Sequence, residues 1–230
     1  MTTTGANRRR ISILLGGLLV AIAPGCAEMP HWTPFHGPSS DRVDGVVAPY
    51  ERVAELRALA AGAGKHGPEE KEKIAKQLAQ SIGKEQDPLI RAEIIGALAS
   101  FPGPTADAIL RTGLSDADPQ VRIAACEYWG KRNSEQSVDL LSQSLHGDID
   151  VDVRLAAAKA LGETRNQAAI DSLAEALEDS DPAIQYRAAI ALEQVTGKSF
   201  DRNVHRWRQY VKGEVPAPQP SIAEQLRRLF

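Results

Sequence analysis

The chain has 230 residues, of which 43% are hydrophobic and 25% are charged, a composition typical of one globular or repeat domain. Its 27 Lys and Arg residues against 30 Asp and Glu residues give a net charge of −3. This modestly acidic balance argues against a nucleic-acid partner, because phosphate binding needs clustered basic side chains.

The first 25 residues have the pattern of an export signal. Three arginines at positions 8–10 precede the apolar run ISILLGGLLVAIAPG, which is short for a membrane-spanning helix. The run ends at Ala23-Pro24-Gly25-Cys26, which resembles a bacterial lipoprotein lipobox. The resemblance implies cleavage before Cys26 and lipidation of its thiol; a plain signal peptide or an uncleaved anchor is the alternative.

Residues 26–48 are rich in Pro, Gly and Ser, which predicts a flexible tether between the membrane and the folded domain. No long apolar run follows residue 26, so we expect any membrane attachment there to be through lipid. Two or three acyl chains hold a protein firmly at a membrane.

A helical motif repeats through the rest of the chain. It begins at Asp87, Asp118, Asp150 and Asp181, with spacings of 31, 32 and 31 residues. Asp is a good helix N-cap, and apolar residues recur three, seven and eleven positions after it, on one side of a helix. A second apolar stripe follows at Leu110 and Leu114, Leu141 and Leu145, and Leu173 and Leu177. Each unit is therefore predicted to be a helical hairpin that buries its apolar sides only by stacking on its neighbours.

The motif DPxVRxAAxxAL resembles HEAT-like repeats of the short type found in phycobilisome lyase subunits. The resemblance covers residues 87–212 and implies an all-α solenoid of four to five hairpins. Residues 49–86 resemble a degenerate N-terminal hairpin, and Trp207 and Tyr210 are expected to cap the far end of the core. Residues 213–230 are predicted to be a Pro-rich linker and an amphipathic tail.

Three arginines occupy the same position in successive units, Arg91, Arg122 and Arg154. In HEAT arrays the corresponding arginine usually forms a structural ladder with aspartates of adjacent units. Asp116, Asp148 and Asp179 are suitably placed for that role. A groove for acidic ligands is the alternative.

No constellation of catalytic residues is recognisable, and no metal site or cofactor is predicted. Cys126 lies in an apolar column, which predicts a buried and inert thiol. TGKS at 196–199 lacks the first glycine of a phosphate-binding loop. The alternating aspartates 148, 150 and 152 lack the glycine and glutamate of a calcium loop. The His-Glu dipeptide of di-iron HEAT-repeat hydroxylases is also absent.

Polar residues align on the predicted second helices, with Asp139 and Asp171 in one column and Gln143 and Glu175 in another. Second helices commonly line the concave face of HEAT-like arrays, so these four residues are a candidate protein-binding site. A simple solvated face is the alternative interpretation.

The predicted function is a non-catalytic scaffold at the cell envelope that binds protein partners, such as extended or basic segments, with no small-molecule substrate. The chain would face the periplasm, and Ala27 after the cysteine favours the outer membrane. The alternative is a bilin-lyase-like enzyme or lyase subunit, although export argues against it. A third hypothesis is a structural envelope protein that self-associates through residues 221–230.

Overall fold

The protein is described here by a computed structural model of residues 48–216. The predicted signal peptide, Cys26, nearly all of the tether and the tail from residue 217 lie outside the described residues. Within the described part the chain forms helices and no strand, which confirms the predicted all-α solenoid. The helices are α1 (Pro49–Gly62), α2 (Pro68–Ile82), α3 (Pro88–Leu98), α4 (Pro104–Gly113), α5 (Pro119–Gly130), α6 (Glu135–Gly147), α7 (Val151–Thr164), α8 (Ile170–Ala176), α9 (Pro182–Thr196) and α10 (Val204–Val211), with 3₁₀ turns at Ala63–Lys65 and Gln167–Ala169.

The repeated aspartates start the first helix of each unit. The side chain of Asp87 accepts a hydrogen bond from the backbone N–H of Leu89 at 2.9 Å, and Asp118 accepts one from Gln120 at 2.8 Å. The aspartates that precede α7 and α9 make the equivalent bonds. Each carboxylate thus satisfies an amide that lacks a partner within the helix and lies at its positive end.

The core is one continuous cluster that runs through all the helix pairs. The columns three and seven positions after each aspartate are almost fully buried, as are most of the leucines on the second helices. No hairpin has enough apolar surface to form a core alone, so the units are stabilised mainly by one another. The buried members of these columns are Ile90, Val121, Val153, Ile184, Ile94, Ala125, Ala157, Ala188, Leu110, Leu141, Leu145, Leu173 and Leu177.

The first helices, α1, α3, α5, α7 and α9, form one layer in which each packs on the next. Gly130 and Gly162 permit the closest approaches. A Cβ atom at Gly130 would lie 2.8 Å from Cα of Ala160, and one at Gly162 would lie 2.8 Å from Cα of Ala191. The second helices contact each other less: α6, for example, packs mainly on α7 and only slightly on α8.

The C-terminal end of the core is covered by an aromatic cluster. Gly197 ends α9 with a φ of 69°, a conformation that favours glycine, and the chain then returns across the core. Trp207 on α10 is fully buried, with its ring centroid 4.8 Å from that of Phe200 and 5.6 Å from that of Tyr210. These rings shield the last apolar layer from water.

Candidate functional site

The three repeated arginines each bind an aspartate in the loop before the next unit. Arg91 donates to Asp116 through Nε at 3.0 Å and through Nη2 at 2.7 Å. Arg122 donates to Asp148 in the same two-bond arrangement, at 2.8 and 2.9 Å. Arg154 makes a single bond to Asp179, at 2.9 Å.

Each of these aspartates also accepts a backbone hydrogen bond from the aspartate two residues later. The distances are 2.9 Å at Asp116 and at Asp148, and 2.8 Å at Asp179. The hydrogen bond from Arg91 lowers the pKa of Asp116. Burial opposes ionisation of Asp148, but the hydrogen bonds from Arg122 and the Asp150 amide still lower its pKa. The carboxylates therefore remain charged and join one unit to the next.

The two ends of this ladder differ from its middle. Gln185 replaces the arginine in the last unit and donates to the carbonyl of Asp179 at 2.6 Å. At the other end, Glu85 accepts the Asp87 amide at 2.9 Å. The Nη1 atoms of Arg91 and Arg122 also donate to backbone carbonyls, at 2.9 Å in both cases. These two guanidinium groups therefore join the units and have no free edge for an anion.

The four polar residues predicted as a protein-binding site are exposed on the second helices. Asp139 and Gln143 lie on α6, and Asp171 and Glu175 lie on α8. The only link that the described structure shows to them is from His146, whose Nε2 is 3.7 Å from Glu175 and 3.0 Å from the hydroxyl of Ser172. Both partners approach the same ring nitrogen, whereas a catalytic triad uses the two nitrogens separately.

The buried titratable groups have structural surroundings. Cys126 is buried, and burial raises its thiol pKa to about 12, so it is not a nucleophile at neutral pH. The Tyr128 hydroxyl donates to Asp107 at 2.6 Å, and burial raises its pKa to about 12. Between residues 48 and 216 no cluster of three or more His, Cys, Asp or Glu residues is arranged to hold a metal ion.

An accessible apolar column crosses the first helices, on a face that the sequence analysis did not consider. It consists of the residue five positions after each repeated aspartate: Ala92, Ile123, Leu155 and Tyr186. The first three are partly exposed, and Tyr186 is 45% exposed. We call the solvent-facing side of α3, α5, α7 and α9 around this column the first-helix surface. The sequence carried a signal for it, because this position is apolar in all four units although it faces away from the apolar stripe three, seven and eleven residues after the aspartate.

Other exposed apolar side chains extend this surface. Leu89 at the start of α3 is 57% exposed, and Val151 at the start of α7 is also exposed. Between α3 and α5 the surface deepens into a groove of about 530 Å³, whose floor includes Ala92, Gly96 and Ile123.

Comparison with known proteins agrees with the repeat geometry. The sequence model for HEAT repeats matches residues 74–151 and 140–201, which together make up more than half of the chain. The chain belongs to the HEAT repeat family. No curated protein sequence matches it.

Two solved structures are similar to this chain at a low level of sequence identity. The structure of human deoxyhypusine hydroxylase in complex with glycerol shares 23% identity at a TM-score of 0.48, covering 54% of this chain and 44% of that one. The chain therefore corresponds to under half of that protein. The complex of CpcE and CpcF of phycocyanin lyase from Nostoc sp. PCC7120 shares 20% identity at a TM-score of 0.45, covering 68% of this chain and 96% of that one. Among residues 48–216 of this HEAT repeat chain, no helix has the length and apolar character needed to cross a membrane.

Proposed function

We propose that this HEAT repeat chain is a non-catalytic scaffold that binds protein partners through the first-helix surface and is held at the cell envelope by lipid on Cys26. One observation carries the binding role: an apolar column that reaches solvent on four neighbouring helices, from Ala92 to Tyr186. Contiguous accessible apolar surface with a polar rim is typical of protein-interaction sites.

The packing of the two helix layers supports the interpretation that the first-helix surface is the concave side of the array. Adjacent first helices approach so closely at Gly130 and Gly162 that no Cβ atom fits, whereas α6 and α8, the second helices of the same units, contact each other only slightly. A stack curves towards its more closely packed layer. We therefore infer that the first-helix surface is concave and able to contact one partner along several units, as solenoid surfaces do.

The chemistry of the surface favours a protein segment with apolar anchors. Tyr186 is a large amphipathic side chain of the type that anchors protein interfaces, and Ile123 and Leu155 add partly exposed apolar area. Four charged residues occur on these helices near the column, Glu93 and Glu127 on α3 and α5, and Lys159 and Arg187 on α7 and α9. Glu93 pairs with Arg57 and Lys159 pairs with Glu163, so Glu127 and Arg187 carry the charges that a partner would complement.

The envelope location is a proposal that the sequence before residue 48 supports. The basic start, the short apolar run and Cys26 suit lipidation and retention at a membrane. Mass spectrometry of the mature N-terminus tests it: a diacylated or triacylated Cys26 supports the proposal, and an intact signal or an unmodified cysteine contradicts it.

The partner-binding role is tested by crosslinking in intact cells that make the protein. The double variant Leu89→Glu and Tyr186→Glu changes two exposed side chains on the first helices, so we expect it to fold and to lose the crosslinked envelope proteins. A matched control, Asp139→Lys and Glu175→Lys, changes two exposed residues on the second helices and is expected to retain them.

Loss of partners only in the control would place binding on the second helices and overturn the role of the first-helix surface. Recovery of no envelope protein with the unaltered chain would contradict the scaffold function. The lyase alternative has its own readout, because a chain that binds a bilin becomes coloured on mixing with the tetrapyrrole.

A further inference from the structure

The groove between α3 and α5 lies at a junction that lacks the close glycine contact. Twelve positions after the repeated aspartates stand Ala99, Gly130, Gly162 and Glu193. The two glycines allow α5, α7 and α9 to pack tightly, but Ala99 has a Cβ atom and itself lines the groove. The first-helix surface is therefore open between α3 and α5.

The floor of this groove is apolar and its rim is acidic. Ala92, Gly96 and Ile123 line the floor, and a Cβ atom built on Gly96 would meet nothing within 4 Å. Four carboxylates and one lysine line the groove. Two of the carboxylates cap helices, and the Glu93 carboxylate accepts a hydrogen bond from Arg57 Nε at 3.0 Å. Glu127, by contrast, is exposed and forms no ion pair with any described residue.

A segment of this chain has complementary chemistry. Residues 221–230, SIAEQLRRLF, carry apolar side chains at Ile222, Leu226 and Leu229. In a helix these three residues lie on one side, because they are spaced by four and three positions. Arg227 and Arg228 supply positive charge opposite the acidic rim. The segment thus has the pattern of a helix that binds in an apolar groove.

We propose that residues 221–230 of a second copy of this chain occupy the groove between α3 and α5. The short connection between Pro216 and residues 221–230 favours binding to a second copy over binding to the groove of the same chain. Four residues separate Pro216 from Ser221, so five extended steps join their Cα atoms, which lie at most about 18 Å apart. From α9 the groove lies beyond α7 and α5, which is roughly 20–25 Å at the usual spacing of packed helices. Such a contact between unlike surfaces joins copies head to tail, into rings or chains.

This inference rests on the first-helix surface being a binding surface, and it is tested on the full mature chain. Light scattering across a concentration series is expected to show association of the unaltered chain, and the tail variant Leu226→Glu and Leu229→Glu is expected to remain monomeric. Gly96→Arg fills the groove with a charge that repels the tail, so it should also remain monomeric. Gly96→Ala is the matched control, because it changes the same position without filling the groove.

A fluorescent peptide of residues 217–230 provides the direct measurement. The anisotropy of the peptide is expected to rise when the tail variant of the full chain is added, because the groove of that variant is empty. When the tail variant also carries Gly96→Arg, about tenfold or more protein should be needed to give the same rise in anisotropy. Glu127→Lys in the protein should weaken binding of the unaltered peptide. A peptide that carries Arg227→Glu and Arg228→Glu should restore binding to the Glu127→Lys protein. Such rescue would not follow from a general loss of folding.

Equal binding of the peptide to the Gly96→Arg protein, or no binding at all, would overturn the inference. A chain that stays monomeric while only its tail variant binds the peptide would show that the tail reaches the groove of its own molecule, which contradicts the second copy. If the peptide does not bind and the double variant Leu89→Glu and Tyr186→Glu still loses the crosslinked envelope proteins, the scaffold function stands without this inference.

Discussion

Replacing Gly130 by alanine should destabilise the array, although the same change in most helices is stabilising. A Cβ atom at this position would lie 2.8 Å from both Cα and Cβ of Ala160 and 3.1 Å from its carbonyl oxygen. Carbon atoms in favourable contact are about 3.5–4.0 Å apart, so α5 and α7 would have to separate by roughly 1 Å. Two of the three opposing atoms belong to the backbone of α7, which cannot move aside like a side chain.

The expected magnitude follows from two opposing effects. Overpacking of a well-packed core costs about 1–3 kcal/mol, and alanine in place of a helical glycine returns up to about 1 kcal/mol. Gly130 is the last residue of α5, so the return is at the low end of that range. We expect a net loss of about 1–2 kcal/mol in the free energy of unfolding, or a fall of several degrees in Tm at about 2–4 °C per kcal/mol.

Urea denaturation followed by circular dichroism measures this loss, with Gly96→Ala as the control. Gly96 lies inside α3 with open space around its added Cβ, so alanine there should stabilise the chain by about 0.5–1 kcal/mol. If Gly130→Ala stabilised the protein to the same extent as Gly96→Ala, the close contact between α5 and α7 would be refuted.

Three further predictions concern the ladder and the buried thiol. Arg122→Met should lower the free energy of unfolding, measured by urea denaturation, by about 3 kcal/mol, because it leaves Asp148 buried without its partner. Arg57→Ala removes an exposed arginine from its ion pair and should change stability little. Similar losses for both variants would contradict the role of burial. Because the folded pKa of Asp148 is below its ordinary value of 3.8, its contribution to stability is complete above that value and is lost as the pH falls through the folded pKa. The stability difference between the unaltered chain and Asp148→Asn should therefore be constant from pH 7 to about pH 5 and shrink below about pH 4, and a difference that grew on acidification would reverse the assigned shift. Finally, Cys126 should react with a thiol reagent at pH 8 only after unfolding, and rapid labelling of the folded chain would contradict its burial.

The regular part of the fold could be predicted from the sequence because it depends on local chemistry. An aspartate before a helix caps it, and apolar residues spaced by three and four give the helix one buried side, whatever lies next to it. These rules identify where α3, α5, α7 and α9 begin. The spacing of 31 or 32 residues then implies stacked hairpins, since one hairpin has too little apolar surface to fold alone.

The candidate binding surface could not be predicted in the same way. The polar columns of Asp139 and Glu175 are conspicuous in the sequence because polar residues interrupt an apolar pattern. The column from Ala92 to Tyr186 is itself apolar, so from sequence it resembles more core. Whether such a column is buried depends on how far one unit rotates against the next, and this rotation is set by contacts between units that one hairpin's sequence does not specify.

The position twelve residues after each aspartate links stacking to binding. Glycine there brings two first helices together and closes the surface between them, as at Gly130 and Gly162. Within residues 48–216 no further first helix follows α9, so Glu193 fits at this position and its carboxylate accepts a hydrogen bond from Ser199. At the α3–α5 junction this position is Ala99, which lines the groove that remains between the two helices. The same column that fixes the spacing of the array thus determines where its first-helix surface can admit another chain.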